Sequence, residues 1–410
     1  MATHTRLALL MFVHVWLLAG PARACRYNVR ETGFVDLGTE PYFLLCFVSD
    51  QTPAETMSAL VAASASLESS NIRFELVNID QRKDHPAAKY FHESAGATGR
   101  GLSAVLVSPD GQTMDIGLSK PDRSFKESLA EALNEILFSP VRLQILRQCA
   151  TSYCAILLIE GPDKQDNDLA REAVRRAIET VKTEMQSLPK SIAQPPVMVV
   201  LDVNSLAAEK VLLWSMGLDV NDVNAPHAAV FYGRGRWIGP LFKGRQITED
   251  LLLDVIYVVG SDCECGLDYR WVQGTMLPAK WDAKLNQLVV DSAGADGFDP
   301  ENPMIKMEIG SIISRSIRAY PDRDIPTGYQ ELLAASGLSG DEQLSDTYDS
   351  HSATGENDAL RTTQYAVRTA PVEAAHAPVI RKSLYVAAAA AACILLSGLY
   401  ILLRAHKRRL

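Results

Sequence analysis

The chain reads as an α/β protein built from two tandem units of the same plan. Two observations say so. Short runs of large apolar residues alternate with longer stretches of helical periodicity, the signature of parallel strand pairs joined by helices. The same element order then appears twice, over residues 42–138 and 152–262. A third observation concerns the ends, where two long apolar runs lie outside either repeat.

The first unit opens with the apolar run Phe43 to Val48, a buried strand. Thr52-Pro53-Ala54-Glu55 begins a helix reaching about Leu67, with Thr52 and Glu55 spaced as a capping box. Ile72 to Ile79 is the next strand, and His85 to His92 a short helix closed by Gly96. Leu102 to Val107 and Thr113 to Leu118 flank the turn Ser108-Pro109-Asp110-Gly111 and form a hairpin. Phe125 to Phe138 is an amphipathic helix stopped by Pro140.

The second unit repeats this order. Ala155 to Ile159 is a strand, Asp168 to Leu188 a long charged helix, Val197 to Val203 a strand, and Leu206 to Gly217 a helix. Ala228 to Tyr232 and Arg236 to Leu241 form a hairpin about Gly233-Arg234-Gly235. Thr248 caps a last helix ending at Val259.

Strand, helix, strand, helix, hairpin, helix is the order of the thioredoxin fold, which the chain resembles twice over residues 25–262. The nearest local match is Ala225-Pro226-His227-Ala228-Ala229-Val230-Phe231. In thioredoxins a cis proline stands just before this strand, so Pro226 is the candidate cis proline; Leu102 and Ser103 take that place in the first unit. A thioredoxin nucleophile sits where the first strand feeds its helix, because a helix N-terminus lowers a thiol pKa. Here those places read Ser49-Asp50-Gln51-Thr52-Pro53 and Gly161-Pro162-Asp163-Lys164-Gln165, without sulfur. A tandem of this kind is similar to the non-catalytic domains of protein disulfide isomerases. The implied fold class is α/β, two tandem thioredoxin-like domains plus a C-terminal single transmembrane helix.

The ends carry the address. Arg6, the apolar Leu7 to Leu18 and Ala22-Arg23-Ala24 read as a signal peptide over residues 1–24, cleaved before Cys25. Leu384 to Leu403 is an uncharged run of twenty residues. At ~1.5 Å per residue it matches the ~30 Å hydrocarbon layer. Arg404, Lys407, Arg408 and Arg409 follow it and mark the cytoplasmic side. The expectation is therefore a single-pass membrane protein with its ectodomain outside the cytoplasm. The chain has no Asn-x-Ser/Thr sequon, which favours a bacterial cell envelope. The expected boundaries are domain 1 at 25–140, domain 2 at 141–265, an extension packed on domain 2 at 266–334, a disordered stalk at 335–382, the span at 383–404 and a tail at 405–410.

The chain has 40 basic and 49 acidic residues; eight of the basic ones and no acidic one lie in the two ends, so the part between carries a net charge of −17. An acidic ectodomain without a basic stripe argues against nucleic acid. No cofactor is expected, and no metal. A protein partner in or at the membrane is expected. Ala389, Cys393 and Ser397, four residues apart in the span, suit close helix approach and a homo-oligomer.

Six cysteines precede the span: Cys25, Cys46, Cys149, Cys154, Cys263 and Cys265. In an oxidising compartment Cys149, Cys154, Cys263 and Cys265 are candidates for structural disulfides, in an open pairing. The alternative makes Cys263-Glu264-Cys265 a thiol–disulfide exchange site, because such tight rings exchange readily; a zinc site on the same thiols is a third reading. Cys46 reads as a small core residue. Groove or interface positions are His227 beside Pro226, and Trp271 and Trp281. The function expected is a non-catalytic, membrane-anchored binding or scaffold protein. If it is an enzyme, the reaction is thiol–disulfide exchange.

Overall fold

The computed structural model describes residues 26–91, 102–185, 192, 194–263, 274–293, 297–319 and 326–337. The expected signal peptide, the expected span and nearly all of the expected stalk lie outside the described residues. No helix among those described is long and apolar enough to cross a membrane.

Two mixed sheets organise the chain. The first lobe contains β1 (Tyr42–Val48), α2 (Ala54–Ser64), β2 (Ile72–Asn78), a 3-10 turn (Pro86–Tyr90), β3 (Ser103–Val107), β4 (Thr113–Asp115) and α3 (Phe125–Leu137). A short helix, α1 (Val29–Thr32), precedes them. Its strands lie in the order β2-β1-β3-β4. β1 runs parallel to β2, with Leu44 opposite Phe74, and antiparallel to β3.

The second lobe contains α4 (Pro140–Thr151), β5 (Ala155–Ile159), α5 (Lys164–Glu184), β6 (Val197–Leu201), α6 (Lys210–Ser215), β7 (His227–Tyr232), β8 (Arg236–Lys243), α7 (Glu249–Gly260) and β9 (Thr275–Met276). The order β6-β5-β7-β8-β9 repeats the first sheet's plan and adds an edge strand. Both sheets are thus mixed α/β layers of thioredoxin-like order. Every residue of β1 and β5 is buried, as a strand covered on both faces requires.

Local chemistry explains two departures from the expected elements. Pro140 starts a helix as well as ending one: Ser139 accepts a hydrogen bond from the Arg142 N–H, and proline at the first helical position sacrifices no intrahelical bond. Thr52 does not cap α2. Its Oγ1 accepts from the Ser49 N–H at 2.9 Å, so Pro53 stands at the cap with no side-chain bond.

The faces show what lies beyond each repeat. In the second lobe Ile156 and Leu158 pack under α5 and α7, while Leu157 and Ile159 face α4 and the segment 203–216. In the first lobe Leu44 and Cys46 pack under α2 and α3. The opposite face, with Phe43, Leu45 and Phe47, meets the 3-10 turn and α10 (Thr327–Ala335). Tyr329 stacks edge-on to Phe43 at 5.6 Å, and its hydroxyl donates to the Pro41 carbonyl at 2.5 Å. α10 therefore fills, from far along the chain, the place that α4 fills in the second lobe. This part of the extension packs on the first lobe, whereas α8 (Ala283–Ala293) and α9 (Pro303–Ala319) join the second lobe's core.

The N-terminal segment crosses in the other direction. Tyr27, Val29, Phe34 and Val35 lie in the second lobe's core, although the segment was expected in domain 1. Cations hold it by carbonyl oxygens: Arg236 donates to Gly33 and Val35 at 3.2 Å, and Arg234 to Phe34 at 2.6 Å. Residues 275–281 then join the lobes. β9 pairs with β8, the Tyr42 hydroxyl donates to the Met276 carbonyl at 2.9 Å, and the Asn71 side chain bonds Leu277 O and Ala279 N.

Candidate functional site

In each lobe the mouth lies where the first strand meets its helix. In the first lobe it is a closed polar turn. The Asp50 N–H donates to Asp80 Oδ2 at 2.9 Å, and Asp50 Oδ1 accepts from Asn78 Nδ2 at 2.8 Å and Gln81 Nε2 at 2.5 Å. Ser103, which begins β3 as His227 begins β7, is buried with its hydroxyl unpartnered by protein.

In the second lobe Asn167 clasps Gly161: the Gly161 N–H donates to Asn167 Oδ1 at 2.9 Å, and Asn167 Nδ2 returns a bond to Gly161 O at 2.9 Å. A Cβ on Gly161 would stand 2.6 Å from the Ala225 carbonyl carbon, so only glycine fits there. Asp163 caps α5 by accepting from the Asp166 N–H at 2.9 Å. Glu160 is buried and ion-paired with Arg171, whose Nε lies 2.8 Å away. A helix terminus able to activate a thiol is present, but a capping carboxylate occupies it.

Pro226 abuts this mouth, but its peptide bond is trans, against the expectation of a cis proline. His227 is not a groove wall. It begins β7 opposite Ile159 and Lys243 and is only 2% exposed. Burial, reinforced by the Lys243 charge, pushes its imidazole pKa down and keeps it neutral. Trp281 is also buried, packed on Phe34 at 6.0 Å and under the Arg234 guanidinium at 5.5 Å. Trp271 lies outside the described residues. Trp214 joins the lobes and was not singled out from the sequence: its Nε1–H donates to the Thr113 carbonyl at 3.1 Å and its ring lies 6.0 Å from Tyr42.

The cysteines do not gather at either mouth. Cys46 lies mid-β1, fully buried, and burial pushes its thiol up to about 12. Cys149 on α4 and Cys154 just before β5 are buried and unbridged, against the expectation that they take part in structural disulfides. They pack with opposite faces of the second sheet. Burial pushes Cys149 up to about 12 against the opposing Arg30 charge, and Cys154 well above the usual thiol range. Arg30 is buried as well, and it donates to the carbonyls of Cys149, Ala150 and Ser152 that end α4. Cys263 follows α7, buried, its N–H bonded to Tyr27 O at 3.2 Å. Cys265 lies outside the described residues. Among the described residues no group of three His, Cys, Asp or Glu side chains is placed to hold a metal ion.

No family model matches the chain, and no curated protein matches its sequence. Solved structures similar to it include the first two thioredoxin domains of Saccharomyces cerevisiae Eps1p, at 12% identity and TM-score 0.20, covering 58% of this chain and 99% of that one. ERdj5 in crystal form II matches at 9% identity and TM-score 0.19 over 53% of this chain, which spans 27% of ERdj5. The zinc-bound form of human ERp44 matches at 12% identity and TM-score 0.20 over 58% of this chain and 61% of its own. The thioredoxin-like character of the two lobes stands on their strand order.

Proposed function

We propose that the chain is a membrane-anchored extracytoplasmic binding protein, whose two thioredoxin-like lobes hold a protein partner and perform no disulfide exchange. One observation carries this reading: neither mouth holds sulfur. Ser49 to Pro53 forms a hydrogen-bonded turn in one, and Gly161 to Gln165 a carboxylate-capped helix start in the other. Dithiol chemistry needs a thiolate at such a place. The described thiols elsewhere are buried, three of them with raised pKa values. The signal peptide and the apolar run Leu384 to Leu403 supply the address and the anchor.

The test is a disulfide-exchange assay on the full chain beside its Cys263→Ser/Cys265→Ser variant, with co-purification of membrane partners from both. Equal partner recovery and no exchange activity support the binding role. A mixed disulfide with an exported protein, trapped by Cys263→Ser alone, would overturn it in favour of exchange at Cys263-Glu264-Cys265.

A further inference from the structure

α10 covers the Phe43 face of the first sheet but has little of its own to hold it helical. It has nine residues, and Pro326 stands at its cap with no side-chain bond. A helix so short is marginal in water, so it persists through what it touches. Tyr329, Leu332 and Leu333 are its buried side chains. They share one apolar cluster with Phe43, Leu45 and Phe47 of β1 and with Ala87 and Tyr90 of the 3-10 turn. The turn is thus a second support. Glu331 of α10 pairs with Lys89. At Gly328 the helix comes so close that a Cβ would stand 2.7 Å from Tyr90 Oη.

The turn itself depends on one histidine. His85 caps it, its Nδ1 accepting from the Ala87 N–H at 3.2 Å. A nitrogen that accepts carries no proton, so the neutral ring keeps its hydrogen on Nε2. Nε2 lies 3.0 Å from Glu75 Oε1 on β2, and the His85 side chain is only 6% exposed. The charged groups acting on the ring are Glu75 and Arg82, whose Nη1 lies 3.9 Å from the same carboxylate oxygen. Lys83 and Asp84, the charged residues just before it, are exposed, and Glu331 across on α10 is engaged by Lys89. Burial, with Arg82 beside it, favours the neutral ring against the pull of Glu75.

A second proton on this ring has one place to go. It adds to Nδ1 and turns that atom into a donor facing the Ala87 N–H, so the cap is lost and two donors oppose each other. The proton then binds better to the state in which the turn has opened, and acid shifts the population toward that state.

We propose that His85 is an acid-sensitive latch: its protonation frees the Pro86–Tyr90 turn, releases α10 and uncovers the apolar Phe43 face of the first lobe. The latch is separate from both mouths and works whether or not they hold a partner.

The experiment is hydrogen exchange, read by mass spectrometry, on the detergent-solubilised full chain at pH 7.5 and pH 5.0, corrected for the intrinsic pH dependence of exchange. His85→Asn is run beside it, because asparagine keeps an acceptor at the cap and takes no proton. With a histidine of ordinary pKa, about 6.5, in the open state, pH 5.0 favours opening over pH 7.5 by at most about thirtyfold. Residues 327–335 are expected to lose protection at pH 5.0 by about three- to thirtyfold, to regain it at pH 7.5, and to lose less than about threefold in His85→Asn, while β1 keeps its protection. A wild-type change below about threefold, a loss in β1 as large as that in α10, or the same loss in His85→Asn overturns the proposal. If His85→Asn does not fold, the comparison of α10 with β1 in the wild-type chain still decides.

Discussion

Thiol reactivity offers the sharpest measurement of whether this molecule is chemically silent. Cys46 and Cys149 are fully buried, and burial pushes both thiols from 9.0 up to about 12. The thiolate is the reacting species. At pH 7.5 both values lie far above the solution pH, so three pKa units cut the thiolate fraction about a thousandfold relative to an ordinary thiol. Burial slows attack further, because reagent must wait for local opening. The perturbation is iodoacetamide at pH 7.5 under native conditions, read cysteine by cysteine by peptide mass spectrometry. Alkylation of Cys46 and Cys149 is expected at least about a thousandfold slower than N-acetylcysteine in the same tube. The sign extends to alkaline pH. Between about 9 and 12 the folded chain keeps protons that the unfolded chain has lost, so stability falls as pH rises through that window. Modification of either residue within about tenfold of the reference rate would refute the reasoning.

Three further outcomes are expected. Arg142 is 1% exposed and donates to the carbonyls of Glu135, Ile136 and Pro278 at 2.6 Å each, beside buried Glu209. Arg142→Met orphans these groups at about 1–3 kcal/mol each; the midpoint of urea unfolding should fall by more than ~1 M, with a smaller combined loss when Glu209→Gln is added. A second outcome concerns acid. His227 and His85 both have pKa values pushed down by burial, so the unfolded chain binds their protons first and stability falls as pH drops below the ordinary histidine value of 6.5; thermal melts of His227→Gln should show a shallower acid limb, and an unchanged limb would count against the buried neutral imidazole. The third concerns α10. Leu332→Ala removes a fully buried side chain at about 2–5 kcal/mol; hydrogen exchange should show residues 327–335 losing protection before either sheet does, and protection unchanged there would mean that α10 is not the cover of the Phe43 face.

Much of the layout was legible in the linear pattern. Ala155 to Ile159 is a run of five apolar residues and is the strand β5 (Ala155–Ile159) to the residue, because a central strand buried on both faces admits nothing else. Thr248 caps α7 as its hydroxyl and position imply, accepting from Leu251 N. The sulfur-free mouths needed only the order of elements and the positions of the cysteines. The start of α4 was also available, since Ser139-Pro140 is a cap followed by a residue suited to the first turn. The trans bond before Pro226 was not, because proline admits both isomers and neighbouring packing chooses.

Amphipathic periodicity declares that a face will be covered; it does not name the cover. α10 sits on the first sheet some 280 residues from β1, and residues 27–35 sit in the second lobe's core. Both are contacts between distant segments, and hydrophobic burial rewards whichever surface fits. The same holds for His227 and Trp281. Residue type told what each side chain can bond, and only the packed chain decided that the histidine would be sealed in a strand and the indole packed on Phe34 under the Arg234 guanidinium.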